Sequence, residues 1–424
     1  MNSEHDSLSK PIIIDIGSGE IKVGFTGQER PKVLFKNYLG EPKFKKILKK
    51  YNKDNTQEKD IYIGEKCDSY LSALKLRKPV EHGIFTNFED IIPIFNHIFN
   101  RLKLDSEEIK NHPILVSESL LNPSKNRENI ASILFETFEI PKIFFASQPI
   151  LSLFATSNTT GAILESGEGV TQSCIVCEGY SIPCTYERYD YGGGDVTKYL
   201  YTLLQNLGFY FDTSGEYQIV NDIKEQLCFA CPSSLVETYK KKSEFEKENY
   251  FLPDGNVIKL GEERISPPEI LYNPELNGME FLSFQNMIFN SINKVDMELR
   301  PKLYEAILLS GGNTSIKGTA NKLYSEFRKL INQNMKIKIH SPKNPYLLCW
   351  MGGNVISGLE IFKKMWIPKE EWDEKGETIV HVSVAEGDMG RVIGKSGKIA
   401  SSIRTIAKSI SNKDHKKVFV KFGE

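Results

Sequence analysis

The sequence has no apolar run near the roughly 18 residues needed to span a bilayer as a helix. It also has almost no net charge: 54 Lys+Arg stand against 55 Asp+Glu, a balance of −1. No global field therefore draws the chain to nucleic acid or to a membrane surface. Seven cysteines in 424 residues are too few, and odd in number, for a fully paired disulfide scaffold. The first ten residues, MNSEHDSLSK, include acidic side chains and no apolar stretch, unlike a secretory signal. Reduced thiols and a cytoplasmic setting are the expectation. With 40% hydrophobic and 26% charged residues, the composition is that of an ordinary globular protein. It excludes a mainly disordered or collagen-like chain. The length suggests two to four compact units at about 150 residues each.

Two CxxC pairs, Cys174/Cys177 and Cys228/Cys231, raise the question of zinc. The first lies in TQSCIVC, which reads as a strand, so its two sulfurs point to opposite faces. The second ends the helical stretch IVNDIKEQLC. Both fit buried small hydrophobes better than metal ligands.

Along the chain, strand and helix patterns alternate. PIIID and IKVGF flank a Gly-Ser-Gly turn, followed by a short strand near Val33–Phe35. Residues 43–60 are polar and lysine-rich and read as an exposed loop. FEDIIPIFNHIFNRL has helical spacing, HPILVSE reads as a strand, and NRENIASILFETFEI is an amphipathic helix. The second half repeats the plan: GAILES and TQSCIVC flank a glycine turn, helices follow at DVTKYLYTLLQNLG and SGEYQIVNDIKEQLC, and ILLSGGNTSIKG runs from a strand into a Gly-Gly turn. This order predicts an α/β fold. Two similar halves facing each other would bring both glycine turns into one cleft.

Turns of this kind expose consecutive backbone N–H groups and let a ligand approach closely, because no Cβ intervenes. Asp15-Ile16-Gly17-Ser18-Gly19 and Glu165-Ser166-Gly167-Glu168-Gly169 could each grip phosphate oxygens, and Lys22 could reach back as a point charge. Asp15 and Glu165 cannot bind phosphate; they would hold a Mg²⁺ through its waters. Neither turn has the Walker pattern. One such turn alone would be an ordinary hairpin, but two in matching positions, with a third Gly-Gly turn, argue for a phosphate site.

Ten segments, taken in order, resemble actin, among them DIGSGEIKVGF, PVEHGIFTNFED, ESGEGVTQ, IVNDIKEQLC, LLSGGNT and WMGGNVISGL. The resemblance covers about residues 10–381. PKVLFKNYLGEPK and YFLPDGNVIKLG are more similar to centractin, the actin-related subunit of dynactin, with a divergent conventional actin as the alternative. The resemblance implies an α/β, two-lobed, actin-like ATPase fold of the hexokinase type with four subdomains. It implies ATP or ADP with Mg²⁺ or Ca²⁺ in the central cleft. On that reading Gly17, Ser18, Gly19 and Lys22 form the first phosphate loop. Ser166, Gly167, Glu168, Gly169 and Val170 form the second. Gly193 lies at the cleft, Lys224 and Glu225 flank sugar and base, and Gly312, Asn313, Ile316 and Tyr346 border the adenosine. Gln148 would position the attacking water, and Asp15 and Glu165 would order the metal's waters.

The chain departs from the actin pattern at several of these places. Glu165 replaces an aspartate, extending the carboxylate by about 1.5 Å. Gln172 replaces a histidine, and can orient a water but not take its proton. Asn221, Ile316 and Tyr346 replace an arginine, a tyrosine and a lysine around the base. ATP binding is therefore expected, with at most slow hydrolysis coupled to assembly. The region 37–77 corresponds to the small second subdomain, with the lysine-rich loop at its filament contact, and 153–345 to the second lobe. YNPELNGMEFLSF stands where actins carry an apolar plug, or is an ordinary surface loop.

The body is expected over residues 1–376. The remainder, 377–424, holds 9 Lys+Arg and 5 Asp+Glu; setting its +4 against the chain's −1 leaves −5 on the body. The tail resembles a KH domain of the small bacterial kind: strand 378–384, helix 386–392, Gly394-Lys395-Ser396-Gly397, helix 398–410, strand 416–422. In such a unit the glycines let the backbone meet a single-stranded RNA backbone. Three functions follow: a filament-forming cytoskeletal subunit of a dynactin-like complex, an actin-like scaffold carrying an RNA-binding module, and a plain slow ATPase. The partners expected are further copies of the chain, dynactin-like subunits and single-stranded RNA.

Overall fold

The computed structural model describes residues 9–43, 61–71, 73–232, 247–372, 377–383 and 417–423. Two central sheets organise the body. The first has the strand order Ile367–Pro368, Lys142–Ser147 (β5), Ile114–Glu118 (β4), Ile12–Ile16 (β1), Glu20–Phe25 (β2), Val33–Lys36 (β3). In the second, Thr171–Cys177 (β7) pairs with Gly161–Ser166 (β6), which pairs in turn with Ile307–Ser310 (β8). Both are built alike. An antiparallel hairpin, β1–β2 or β6–β7, joins a parallel neighbour, β4 or β8.

The sequence explains why these strands lie in the interior. IIIDI and GAILES are buried along their whole length, as expected of strands covered on both faces. Successive side chains alternate between faces. Ile12 and Ile14 enter one apolar cluster while Ile13 enters another with Trp350. Leu164 and Ile163 divide in the same way. Between the sheets run two helices in contact, Gln148–Phe154 (α1) and Leu348–Ser357 (α4). The first lies against β6, β7 and β8, the second against β1, β2 and β4. The fully buried Trp350 indole donates to the Ile13 carbonyl at 3.2 Å.

Most expected elements are present. The helix over FEDIIPIFNHIFNRL spans Ile91–Leu102 after a 3-10 turn. Helix Ser214–Leu227 (α3) lies within one residue of its expected bounds, and Gly193–Asn206 (α2) begins and ends two residues earlier than DVTKYLYTLLQNLG. Cys174, Cys228 and Cys231 are buried and Cys177 half-buried. Among the described residues no group of three His, Cys, Asp or Glu side chains could hold a metal. The plug-like segment forms a 3-10 turn, Pro274–Asn277, then a loop whose Met279 and Leu282 pack on the second core. Residues 44–60 of the lysine-rich loop lie outside the described residues.

In the tail, strands Glu377–Ser383 and Lys417–Gly423 pair in parallel, Glu377 opposite Lys417. Both lie one residue from their expected bounds. A parallel pair requires a long crossover, here residues 384–416. The two expected helices and Gly394-Lys395-Ser396-Gly397 fall in that crossover, outside the described residues.

Candidate functional site

The two hairpin turns meet in a cleft of about 520 Å³. In the first turn Gly17 N–H donates to the Glu20 carbonyl at 3.0 Å. Asn37 Nδ2 donates to the Gly17 carbonyl at 2.8 Å, and the Ser18 hydroxyl accepts from Gly83 N–H at 3.0 Å. The second turn closes through Gly167 N–H to the Val170 carbonyl at 2.9 Å. Helix α2 begins on it: Gly193 and Gly194 N–H donate to the Gly167 and Glu168 carbonyls at 2.9 and 2.8 Å. A Cβ on Gly19 would stand 2.9 Å from that of Glu168, so only glycine lets the turns approach this closely.

The β1 and β6 strands point one carboxylate each into the cleft. Asp15 and Glu165 are 4% and 7% exposed. Asp15 Oδ1 accepts from Ser117 Oγ at 2.6 Å and Gln148 Nε2 at 3.3 Å, and Oδ2 lies 3.6 Å from Lys22 Nζ. Burial works against the Lys22 ammonium, but Asp15 and Glu20 outweigh it and hold its pKa above the ordinary value. Burial, with the Asp15 charge adding to it, pushes the Glu165 carboxyl up to about 8. The buried Cys349 thiol beside this pair is held protonated by burial and by the two carboxylates.

Gln172 faces Glu165 across the β6–β7 pair. Its carbonyl accepts from Leu120 N–H at 2.7 Å. Its amino group is thus the end turned to Gln148 Oε1 and Glu165 Oε2, at 3.4 and 3.5 Å. An amino group has no acceptor for a water's proton.

At the other end, the buried Lys224 ammonium donates to the Gly193 carbonyl at 3.1 Å and to Asn221 Oδ1 at 2.8 Å. Asn221 Nδ2 donates to Glu225 at 2.7 Å. Glu168 meets Lys78 at 2.7 Å and Lys224 at 3.9 Å. Burial alone would raise the Glu168 pKa, but Lys224 and Lys78 together hold it below the ordinary range. Gly312, Ile316 and Tyr346 line the same cleft.

Every body residue expected from sequence at the nucleotide site lines this cleft except Ser166. That side chain is fully buried behind the second turn. Its Oγ accepts from Asn313 Nδ2 at 2.9 Å and contacts Thr171 Oγ1 at 2.8 Å, so it braces the turn from behind. Sequence reasoning missed Lys78, Ser117, Cys349 and Asn37. None belongs to a glycine turn. Only Ser117 carried a signal, as a polar residue inside the apolar strand ILVSE.

The residues suit a nucleotide with a divalent cation. Among the described residues, Asn313 Oδ1 is buried with no hydrogen-bond partner. A Cβ on Gly193 would sit 3.3–3.4 Å from that atom, Lys224 Nζ and Glu168 Oε2, a polar cradle beside a bare backbone. Two buried carboxylates with raised proton affinity at one of them are a place where a cation would relieve repulsion.

The Glu165 shift has a consequence for stability. Its folded pKa lies above its ordinary 4.5, so the folded chain retains a proton the unfolded chain has lost. That contribution is complete below about pH 4.5 and is lost as pH rises through about 8. Without nucleotide or divalent cation, the thermal midpoint should fall between pH 5.5 and 8. In Glu165→Gln the fall should be clearly shallower; equal slopes by calorimetry would contradict the assignment.

The actin family profile matches residues 7–385. A profile described as KhpA/KhpB, KH domain, matches residues 361–422, overlapping it at the junction. An "Actin-like protein" of Neurospora crassa is 40% identical over 381 residues, covering 88% of this chain and 98% of that protein. A glycine-hairpin cleft between two matching sheets and a family match over most of the length agree: the chain belongs to the actin family and has a KH domain match at its C-terminal end.

Proposed function

We propose that the chain is an ATP-binding, cytoskeletal actin-related protein of the cytoplasm that assembles with copies of itself or with dynactin-like, centractin-type subunits. The observation that supports this reading most is the meeting of the turns at Gly17–Gly19 and Gly167–Gly169 beside Asp15 and Glu165. Backbone N–H groups of both turns, Ser18 and Lys22 would hold the β- and γ-phosphates. Asp15 and Glu165 would hold the cation's waters; a bound Mg²⁺ or Ca²⁺ would neutralise phosphate charge. Lys224, Glu225, Gly312, Asn313, Ile316 and Tyr346 would enclose sugar and base. Among the described residues no helix is long and apolar enough to cross a membrane.

Hydrolysis on this reading is slow. Gln148 lies where it could orient a water, with its Nε2 3.3 Å from Asp15 and its Oε1 on Gln172. No histidine stands at 172 to take the proton. Restoring one in Gln172→His should raise the phosphate-release rate, by up to about 10²-fold for a recovered general base. A variant no faster than the parent would count against the role of position 172.

The binding reading is tested by calorimetry with Mg²⁺-ATP. Asp15→Ala should weaken binding by about 1–3 kcal/mol, the scale of a lost charge-assisted contact. Unchanged affinity would remove Asp15 from the site.

The KH match favours a second activity, single-stranded RNA binding by the tail. Replacing Lys395 and Ser396 with aspartates should abolish gel retardation of single-stranded RNA and leave ATP affinity unchanged. An absence of retardation by the unmodified chain at micromolar concentration and low salt would eliminate this activity.

A further inference from the structure

Glu168 belongs to the β6–β7 turn of the second sheet, yet its nearest cation comes from the other side of the cleft. Lys78 follows the strand Leu74–Arg77 and precedes Val80, which packs in the core of the first sheet. Arg77 is bound in turn to Asp90 at the head of helix Ile91–Leu102, so this segment is fixed to the first lobe. The Lys78 ammonium reaches Glu168 Oε1 at 2.7 Å, while Lys224, from the second lobe, stands 3.9 Å from Oε2. The Lys78 and Glu168 side chains both line the cleft and are 37% and 21% exposed.

This arrangement has two effects. The ion pair joins the lobes at the turn that lies against Gly19. It also balances a carboxylate that would otherwise face a triphosphate carrying the same sign of charge. Without Lys78, Glu168 would retain Lys224, at a distance where attraction is weaker.

We infer that Lys78 is a positioning residue for the nucleotide, holding Glu168 and the second phosphate turn across the cleft and so slowing release. The inference rests on the nucleotide reading of the cleft. It does not require Lys78 to touch the ligand. Other cross-lobe contacts, the Leu76 N–H to Ser214 Oγ bond at 3.0 Å and the Lys36–Asp222 pair at 4.0 Å, would persist in its absence and preserve the fold.

The test is release of a fluorescent etheno-ATP from the full chain with Mg²⁺, chased by excess ATP. Lys78→Met should release it about 3- to 10-fold faster, somewhat more than a fully exposed pair would give. Lys78→Arg, which keeps the charge, should stay close to the parent. In a Glu168→Gln background, Lys78→Met should change release by less than about 2-fold, because the partner charge is gone. Added salt should speed release from the parent by a larger factor than from Lys78→Met. Release from Lys78→Met within about 2-fold of the parent, or the same acceleration in both backgrounds, would overturn the inference and leave the cleft reading intact. If the parent retains no etheno-ATP, the cleft reading fails and takes this inference with it.

Discussion

The close contact between two hairpin turns governs this molecule. The β1–β2 turn at Gly19 and the β6–β7 turn at Glu168 approach to a distance that a Cβ on residue 19 would not allow. For that to happen, each turn must project from the strand ends of its sheet at the same height and orientation. The matching hairpin-plus-parallel-strand plan of the two sheets meets this condition, as does the helix pair α1–α4 between them. The apolar strands IIIDI and GAILES are thus tied to the chemistry: their burial on both faces fixes where Asp15 and Glu165, one near the end of each, can point.

Charge is divided along the cleft. At one end two buried carboxylates crowd together, with Lys22 as partial compensation and a protonated thiol, Cys349, alongside. At the other, Lys224 and Lys78 surround Glu168. The first end is suited to a cation between the carboxylates and the phosphates, the second to the hydroxylated part of a nucleotide. Burial makes each arrangement costly when empty. The ligand and its metal would offset costs that the protein alone cannot.

Much of this was legible in the sequence because it depends on local rules. Hairpins flanking glycine turns, alternation in β1 and helical spacing at Ile91–Leu102 are visible within a few residues. Lys78 was not, because its partner lies 90 positions away on the other sheet. The bracing role of Ser166 was hidden for a different reason: within a glycine turn a serine reads as a ligand contact, whereas here its hydroxyl faces Thr171 and Asn313. Residue 172 shows the same limit. Its identity excludes proton transfer, but only the packing against Leu120 shows which end of the amide faces the cleft. The sequence reading places the domain junction at 376/377, ahead of the basic, KH-like tail. The two family profiles overlap over 361–385, where Ile367 pairs with Ile143 and Phe362 packs against Phe144 in the first lobe.

The proposed function stands on an adenine nucleotide held in this cleft and hydrolysed slowly. The most direct measurement is the nucleotide content of the chain purified in Mg²⁺ without added nucleotide, released by acid and resolved by ion-exchange chromatography. The account predicts close to one adenine nucleotide per chain, most of it still triphosphate because residue 172 supplies no base. A chain that carries no nucleotide, and takes up none when ATP is supplied, would contradict it.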